Sequence, residues 1–204
     1  MLPAAGYKAI FLSVDTPLLG RRLNEYRNNF RLPDNMEWPN LLSDGKSELS
    51  GSNRLNGRGN DHSEGDAENP TRNKHDFDPS LDWDTAISWL RAHTNLQLWI
   101  KGIYTADDVV LAIQHGLDGV VVSNHGGRQL DGVPATLDAL RECAVAAAGK
   151  IPIAMDGGIR RGTDIFKALA LGACHCFVGR IPIWGLAVRF LSSLGRMVRG
   201  PRRY

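Results

Sequence analysis

Parallel βα units, the building blocks of an α/β barrel, are the architecture this sequence predicts, and three observations predict it. Strand-length runs are apolar throughout, as in "GVVV" at 119–122 and "LQLWI" at 96–100, which is the pattern of strands covered on both faces. Between these runs lie amphipathic segments of helical spacing, so the two kinds of element alternate. Polar or glycine-rich residues then recur where a strand-like run ends: Asp15, Lys101, 123–128, 156–160, and Gly179 with Arg180. Turns explain one such cluster, but not five in succession. In a β/α barrel the C-terminal strand ends build the active site.

The elements follow in order. "YKAIFLSV" at 7–14 reads as the first strand, and residues 1–42 as the first βα unit. From Ser43 to Asp76 only Leu49, Leu55 and Ala67 are apolar among 34 residues. That composition cannot bury enough surface to offset its ordering entropy, so 43–76 is expected to be a disordered loop insertion. Residues 77–187 carry the remaining units. "WDTAISWLRAH" at 83–93 has helical spacing, and "LQLWIKG" at 96–102 is a strand. "TADDVVLAIQHG" places Thr105 as N-cap, Asp108 three residues on, and Gly116 as the stop. "GVVVSN" is the next strand, followed by an alanine-rich helix from Thr136 to near Gly149. "IPIAMDGG", "GTDIFKALALG" and "CHCFVGR" give a strand, a helix and a fifth strand. Residues 188–204 form a basic tail, expected to be solvated.

Composition bounds the function. The 204 residues are 43% hydrophobic with a net charge of +2, too weak a charge to argue for nucleic acid. No run of about eighteen apolar residues occurs, so no membrane span is expected. The opening "MLPAAGYKAIFLSV" moves directly into strand-like sequence, so a secretory signal is not expected there. Cys143, Cys174 and Cys176 suit a reduced intracellular protein. Cys174 and Cys176 alternate in a strand-like run, which predicts packing, and no metal site is expected.

Two motifs carry chemistry. In "MDGGIRRGTD" Gly157 and Gly158 let backbone N–H groups approach an anion, and the next helix adds its positive end. Arg160, and Arg180 from "VGR", can neutralise a phosphate, which barrel enzymes often bind after their last two strands. In "GVVVSNHGGRQLDG" His125 ends a buried strand with two glycines beside it, the setting of a general base. Arg128, three residues on, can grip a carboxylate in bidentate fashion. Asp15 in "SVDTP" can orient His125, and one arginine of "GRR" at 20–22 can take a carboxylate. Lys101 ends an apolar strand, where either a functional role or a structural ion pair accounts for it.

"SVDTPLLGRR", "LWIKGI", "VVVSNHGGRQLDG", "MDGGIRRGTDIFKALALGA" and "VGR" together resemble the FMN-dependent α-hydroxy acid dehydrogenase and oxidase family, which includes glycolate oxidase, lactate oxidase and the flavin domain of flavocytochrome b2. The resemblance implies a β/α barrel with FMN at the strand C-termini, this chain starting at the fourth of eight strands. It implies oxidation of a small L-2-hydroxy acid to the 2-oxo acid, with oxygen or an external acceptor taking the electrons. His125 becomes the base, paired with Asp15, while Arg128 and Arg22 hold the substrate carboxylate. Lys101 faces the flavin and stabilises its reduced charge. Ser13, Ser123, Asp156, Gly157, Gly158, Arg160, Gly179 and Arg180 complete the cofactor contacts. A family-like homo-oligomer is expected, inside the cell, in the cytoplasm, peroxisome or mitochondrion.

The same resemblance implies departures. Three earlier βα units are expected ahead of this sequence, and "VRFLSSLGRMVRGPRRY" differs from the family's closing helix. A full barrel needs about 250 residues. Five strands alone leave an unpaired parallel edge. An incomplete gene model of an active enzyme and a non-catalytic truncated relative are therefore the two readings. A phosphate-binding barrel of the IMP dehydrogenase type does not account for "SNHGGRQLDG".

Overall fold

The computed structural model describes residues 6–17, 23, 27 and 80–188. Apart from Leu23 and Arg27, these belong to one compact unit. The expected loop at 43–76, Arg22 and residues 189–204 lie outside the described residues.

Five strands form one parallel sheet in simple sequential order: β1 (Ala9–Ser13), β2 (Gln97–Ile103), β3 (Gly119–Val122), β4 (Ile153–Met155) and β5 (His175–Cys176). Helices follow the last four, namely α2 (Ala106–Gln114), α3 (Thr136–Ala147), α4 (Gly162–Ala170) and α5 (Arg180–Val188), and α1 (Trp83–His93) precedes β2. Local chemistry explains the boundaries. Asp82 caps α1 by accepting the Thr85 N–H at 2.7 Å. Thr105 caps α2 by accepting the Asp108 N–H at 3.2 Å. The helix α3 ends where Ala148 and Gly149 turn left-handed.

Alternate strand residues face two ways. Ile100, Val120, Val122, Ile153 and Met155 pack under Val109, Leu140 and Cys143 of the helices. Trp99, Val121 and Ala154 face the other side. On that second face the Phe11 and Phe177 rings meet edge to face, 5.8 Å between centroids. A flat sheet would hold the first and fifth strands about 19 Å apart, four strand spacings. The sheet is therefore strongly curled, a segment of a β/α barrel with this face inward.

At the N-terminal rim, Asp118 ties three elements. Its Oδ2 accepts from Leu98 N at 2.8 Å and Arg91 Nη2 at 2.9 Å.

Three details depart from the sequence reading. The strand expected at 174–180 pairs only over His175–Cys176. The helix α5 was not legible, because Pro182 reads as a breaker. Pro is tolerated there because first-turn N–H groups have no intrahelical partner. Cys176 is half-buried against the core, but Cys174 is exposed, its thiol reaching Ile153 O at 3.1 Å. Among the described residues β5 is the terminal strand, so nothing covers that position. No described helix is long and apolar enough to cross a membrane, and no metal-ligating cluster occurs among the described residues.

Candidate functional site

Parallel strands bring all their C-terminal ends to one rim, so the polar residues that follow β1 to β4 become neighbours. Two linked clusters result.

The first is Asp15 with His125. Asp15 Oδ1 lies 2.9 Å from His125 Nδ1. A carboxylate accepts only, so Nδ1 carries the proton of this contact, and Nε2 is the ring nitrogen that Asp15 does not engage. Thr16 Oγ1 also donates to Asp15 Oδ1, at 3.1 Å. Asp15 Oδ2 is buried, with no hydrogen-bond partner among the described residues. Gly102 makes this pair possible. A Cβ there would lie 2.7 Å from Asp15 Cβ and 2.8 Å from Asp15 Cγ, and its φ is +104°. Gln129 Nε2 donates to Asp15 O at 3.0 Å, tying the loop after β3 to the end of β1. In that loop His125, Gly126 and Gly127 all have positive φ, at 54°, 67° and 71°. For histidine this left-handed conformation costs about 1 kcal/mol, a local strain of the kind found at functional sites.

The second cluster joins Lys101, Ser123 and Asp156. Lys101 Nζ donates to Ser123 Oγ at 3.1 Å and lies 3.4 Å from Asp156 Oδ2. Ser123 Oγ donates to Asp156 Oδ1 at 2.5 Å. Its oxygen also accepts from His125 N at 3.0 Å, which links the two clusters. The ion pair that the position of Lys101 suggested is present, and it stands at the site.

Beyond β4 the chain forms a glycine-lined turn. A Cβ at Gly157 would lie 2.7 Å from Thr136 Oγ1 and 2.8 Å from Asn124 Oδ1, so this glycine is demanded by packing. The Thr136 hydroxyl facing it is buried, with no partner among the described residues. Gly158, at φ +74°, has nothing within 4 Å of a Cβ. The backbone N–H groups of Arg160 and Arg161 are engaged by Asp164 Oδ2, at 3.0 and 2.9 Å. The Arg160 N–H bond, ahead of neighbouring cations, holds the Asp164 carboxyl below the usual carboxylate range. That part of the α4 N-terminus, which the sequence suggested for an anion, is therefore capped from within. Arg180 Nη2 donates to Gly126 O and so joins the end of β5 to the histidine loop.

Of the expected site residues, the structure gathers Asp15, Lys101, Ser123, His125 and Asp156 into one network. Ser13 is exposed at the end of β1, in register with Lys101. Arg128 is half-buried within the histidine loop, whereas Gly158, Arg160, Gly179 and Arg180 are exposed. Arg22 lies outside the described residues. Gly102, Asn124, Gln129 and Thr136 were missed. Only Gly102 left a signal, as a glycine inside a strand beside a lysine. A cavity of about 300 Å³ opens elsewhere, on the helix side between β1, β2 and α1. Its only charged lining residues are Asp82 and Asp108, with no histidine, lysine or arginine among them.

The curled parallel sheet thus brings a histidine–aspartate pair, a lysine and a glycine turn to its C-terminal rim, the end at which β/α barrels build their sites. The chain belongs to the FMN-dependent dehydrogenase family, whose model matches residues 2–196. Among curated relatives, Oxidase FUB9 of Gibberella moniliformis is 50% identical over 192 residues, 94% of this chain and 46% of that protein. The 2-hydroxyacid oxidase 1 of Mus musculus is 50% identical over 182 residues, 89% of this chain and 46% of its own length. The L-lactate oxidase of a Nostoc species is 45% identical over 195 residues, 96% of this chain and 50% of its own. Among solved structures, a mandelate oxidase variant with (S)-mandelic acid superposes with a TM-score of 0.67 at 36% identity, over 91% of this chain and 45% of that one. The chain thus spans about half the length of the curated relatives it matches.

Proposed function

We propose that this rim is the base-bearing and phosphate-binding half of an enzyme that uses FMN to oxidise a small L-2-hydroxy acid to the 2-oxo acid. The observation that carries the proposal is the 2.9 Å contact of Asp15 with His125 Nδ1, which orients the ring and leaves Nε2 as the nitrogen to meet a substrate. The residues suit FMN. The turn at Gly158 is open, Arg160 follows it two residues on, Arg180 stands at the histidine loop, and the Thr136 hydroxyl has no partner among the described residues. Lys101, Asp156, Gly157, Gly158, Arg160, Gly179 and Arg180 would hold the cofactor, with Ser13 beside Lys101. Bound FMN would supply the acceptor for the two electrons leaving the substrate carbon.

The protein's own part is to bind and to move a proton. Arg128 takes the substrate carboxylate, with Arg22 as its proposed companion. His125 Nε2 receives the substrate proton, and Asp15 both fixes the ring and stabilises the imidazolium that forms. A small 2-hydroxy acid and oxygen, or an external acceptor, are the proposed partners.

The test is direct. FMN is added to the full chain, unbound flavin is removed, and the visible spectrum is followed anaerobically with glycolate or L-lactate. Retained flavin that bleaches supports the proposal. His125→Gln should keep the flavin and bleach more slowly by about 10²-fold or more. A chain that retains no flavin means that the motifs record ancestry or an incomplete gene model, and the activity then belongs to a longer chain.

A further inference from the structure

The geometry points to Ser123 as a positioning residue that fixes Lys101, Asp156 and His125 relative to one another, an inference that rests on the oxidase reading of the same rim. Resemblance to the family suggests that this hydroxyl touches the cofactor, and the structure gives it three protein partners as well. A serine hydroxyl has one proton and two lone pairs. The proton goes to Asp156 Oδ1 at 2.5 Å, since a carboxylate cannot donate. One lone pair accepts from Lys101 Nζ at 3.1 Å, the other from His125 N at 3.0 Å. Every valence is therefore spent within the protein, and the side chain is 1% exposed as part of a buried residue.

The position explains why one hydroxyl can do this. Ser123 is still held by the sheet, its N–H bonded to Ile103 O at 3.1 Å. Lys101 and Asp156 come from the flanking strand ends on the same inward face. Their direct separation of 3.4 Å exceeds a good hydrogen bond, so the serine provides the two shorter contacts. The bond from His125 N closes a serine turn over two residues. That turn starts the run of positive φ that swings the imidazole back toward Asp15. Base and ammonium are thereby referred to a single atom on a rigid strand.

The test uses the full chain without FMN, as parent, Ser123→Ala and Ser123→Cys. The cysteine keeps the bulk with only weak hydrogen bonding. Amide hydrogen exchange is read by NMR, together with the Lys101 ammonium resonance. In both variants the His125 amide should exchange about fivefold to tenfold faster, the loss of one hydrogen bond, and the Lys101 signal should broaden. The ladder amides of Val120 and Asp156 should change by less than about twofold. An unchanged His125 amide and Lys101 signal in both variants would overturn the inference. So would an equal rise at every ladder amide, which marks general loosening. A flavin-loaded arm separates this from the oxidase reading. Ser123→Ala should lower kcat with glycolate about tenfold or more and leave KM within about twofold, because Arg128 is untouched. If the parent binds no flavin, oxidase activity does not belong to this chain by itself, while the exchange data still decide the role of Ser123.

Discussion

Gly102 makes the sharpest prediction. It sits inside β2, directly after Lys101, and its missing side chain is the space that Asp15 occupies. Gly102→Ala places a methyl 2.7 Å from Asp15 Cβ, 2.8 Å from its Cγ and 2.9 Å from its N. Real Cβ atoms do not approach so closely, so the end of β1 must shift. Two costs follow from the structure. A non-glycine residue at φ +104° loses about 1–2 kcal/mol. Forcing a methyl into an already filled contact loses about 1–3 kcal/mol more. The expected destabilisation is about 3 kcal/mol, a large part of the stability of a small domain. Gly116→Ala is the matched control, since Gly116 also has positive φ, at +65°, but nothing within 4 Å. That substitution should lose only the conformational part, about 1 kcal/mol. Urea unfolding followed by tryptophan fluorescence measures both. In the flavin-loaded protein, Gly102→Ala should also slow reduction about 10²-fold, because a displaced Asp15 no longer fixes His125. Equal destabilisation by the two substitutions would refute the idea that Asp15 dictates the glycine.

Three further outcomes are expected. Gly119→Ala drives a methyl to 2.3–2.4 Å from the Trp99 indole and should lower stability by about 2 kcal/mol or more in the same urea assay. Asp164→Ala should lose about 1 kcal/mol of α4 capping. Because the Asp164 carboxyl is held below its ordinary value when folded, that contribution is present above the unfolded carboxylate range and disappears as pH falls through the folded value. The difference between parent and Asp164→Ala should therefore be full at neutral pH and shrink at strongly acid pH. Burial pushes the Cys143 thiol up to about 11, so a thiol reagent near pH 8 should label exposed Cys174 readily. Cys143 should react only as the chain unfolds, which quantitative mass spectrometry would show.

The order of elements was legible because each rests on local chemistry. Apolar runs mark doubly covered strands, while Thr105 with Asp108 and the glycine beyond Ala148 mark helix ends. The curvature of the sheet was expected through the barrel analogy, and the Phe11–Phe177 contact now gives it a physical basis. What escaped was non-local. The glycine at 102 acquires its meaning only from Asp15 on the neighbouring strand. The pairing of Asp15 with His125, 110 positions apart, was by contrast expected from the residue types and the resemblance. The α5 helix hid behind Pro182, because sequence alone does not show that the proline falls in a first turn. Thr136 and Asn124 looked like ordinary loop and helix-start residues until Gly157 was seen packed against them.

The charges at the rim have a pattern that ties the parts together. Lys101 and Asp156 neutralise each other, with Ser123 between them, and Asp15 stands beside His125 Nδ1. On the proposed reading, each incoming anion then meets its own cation: the substrate carboxylate meets Arg128, and the phosphate meets Arg160 and Arg180. Taking a proton turns His125 cationic next to Asp15, so the new charge appears where an opposite charge already waits. Arg180 also holds the carbonyl of Gly126, one residue from the base. Occupying Arg180 with phosphate would compete for that guanidinium, which makes the histidine loop the element whose hydrogen exchange should respond first when FMN is added.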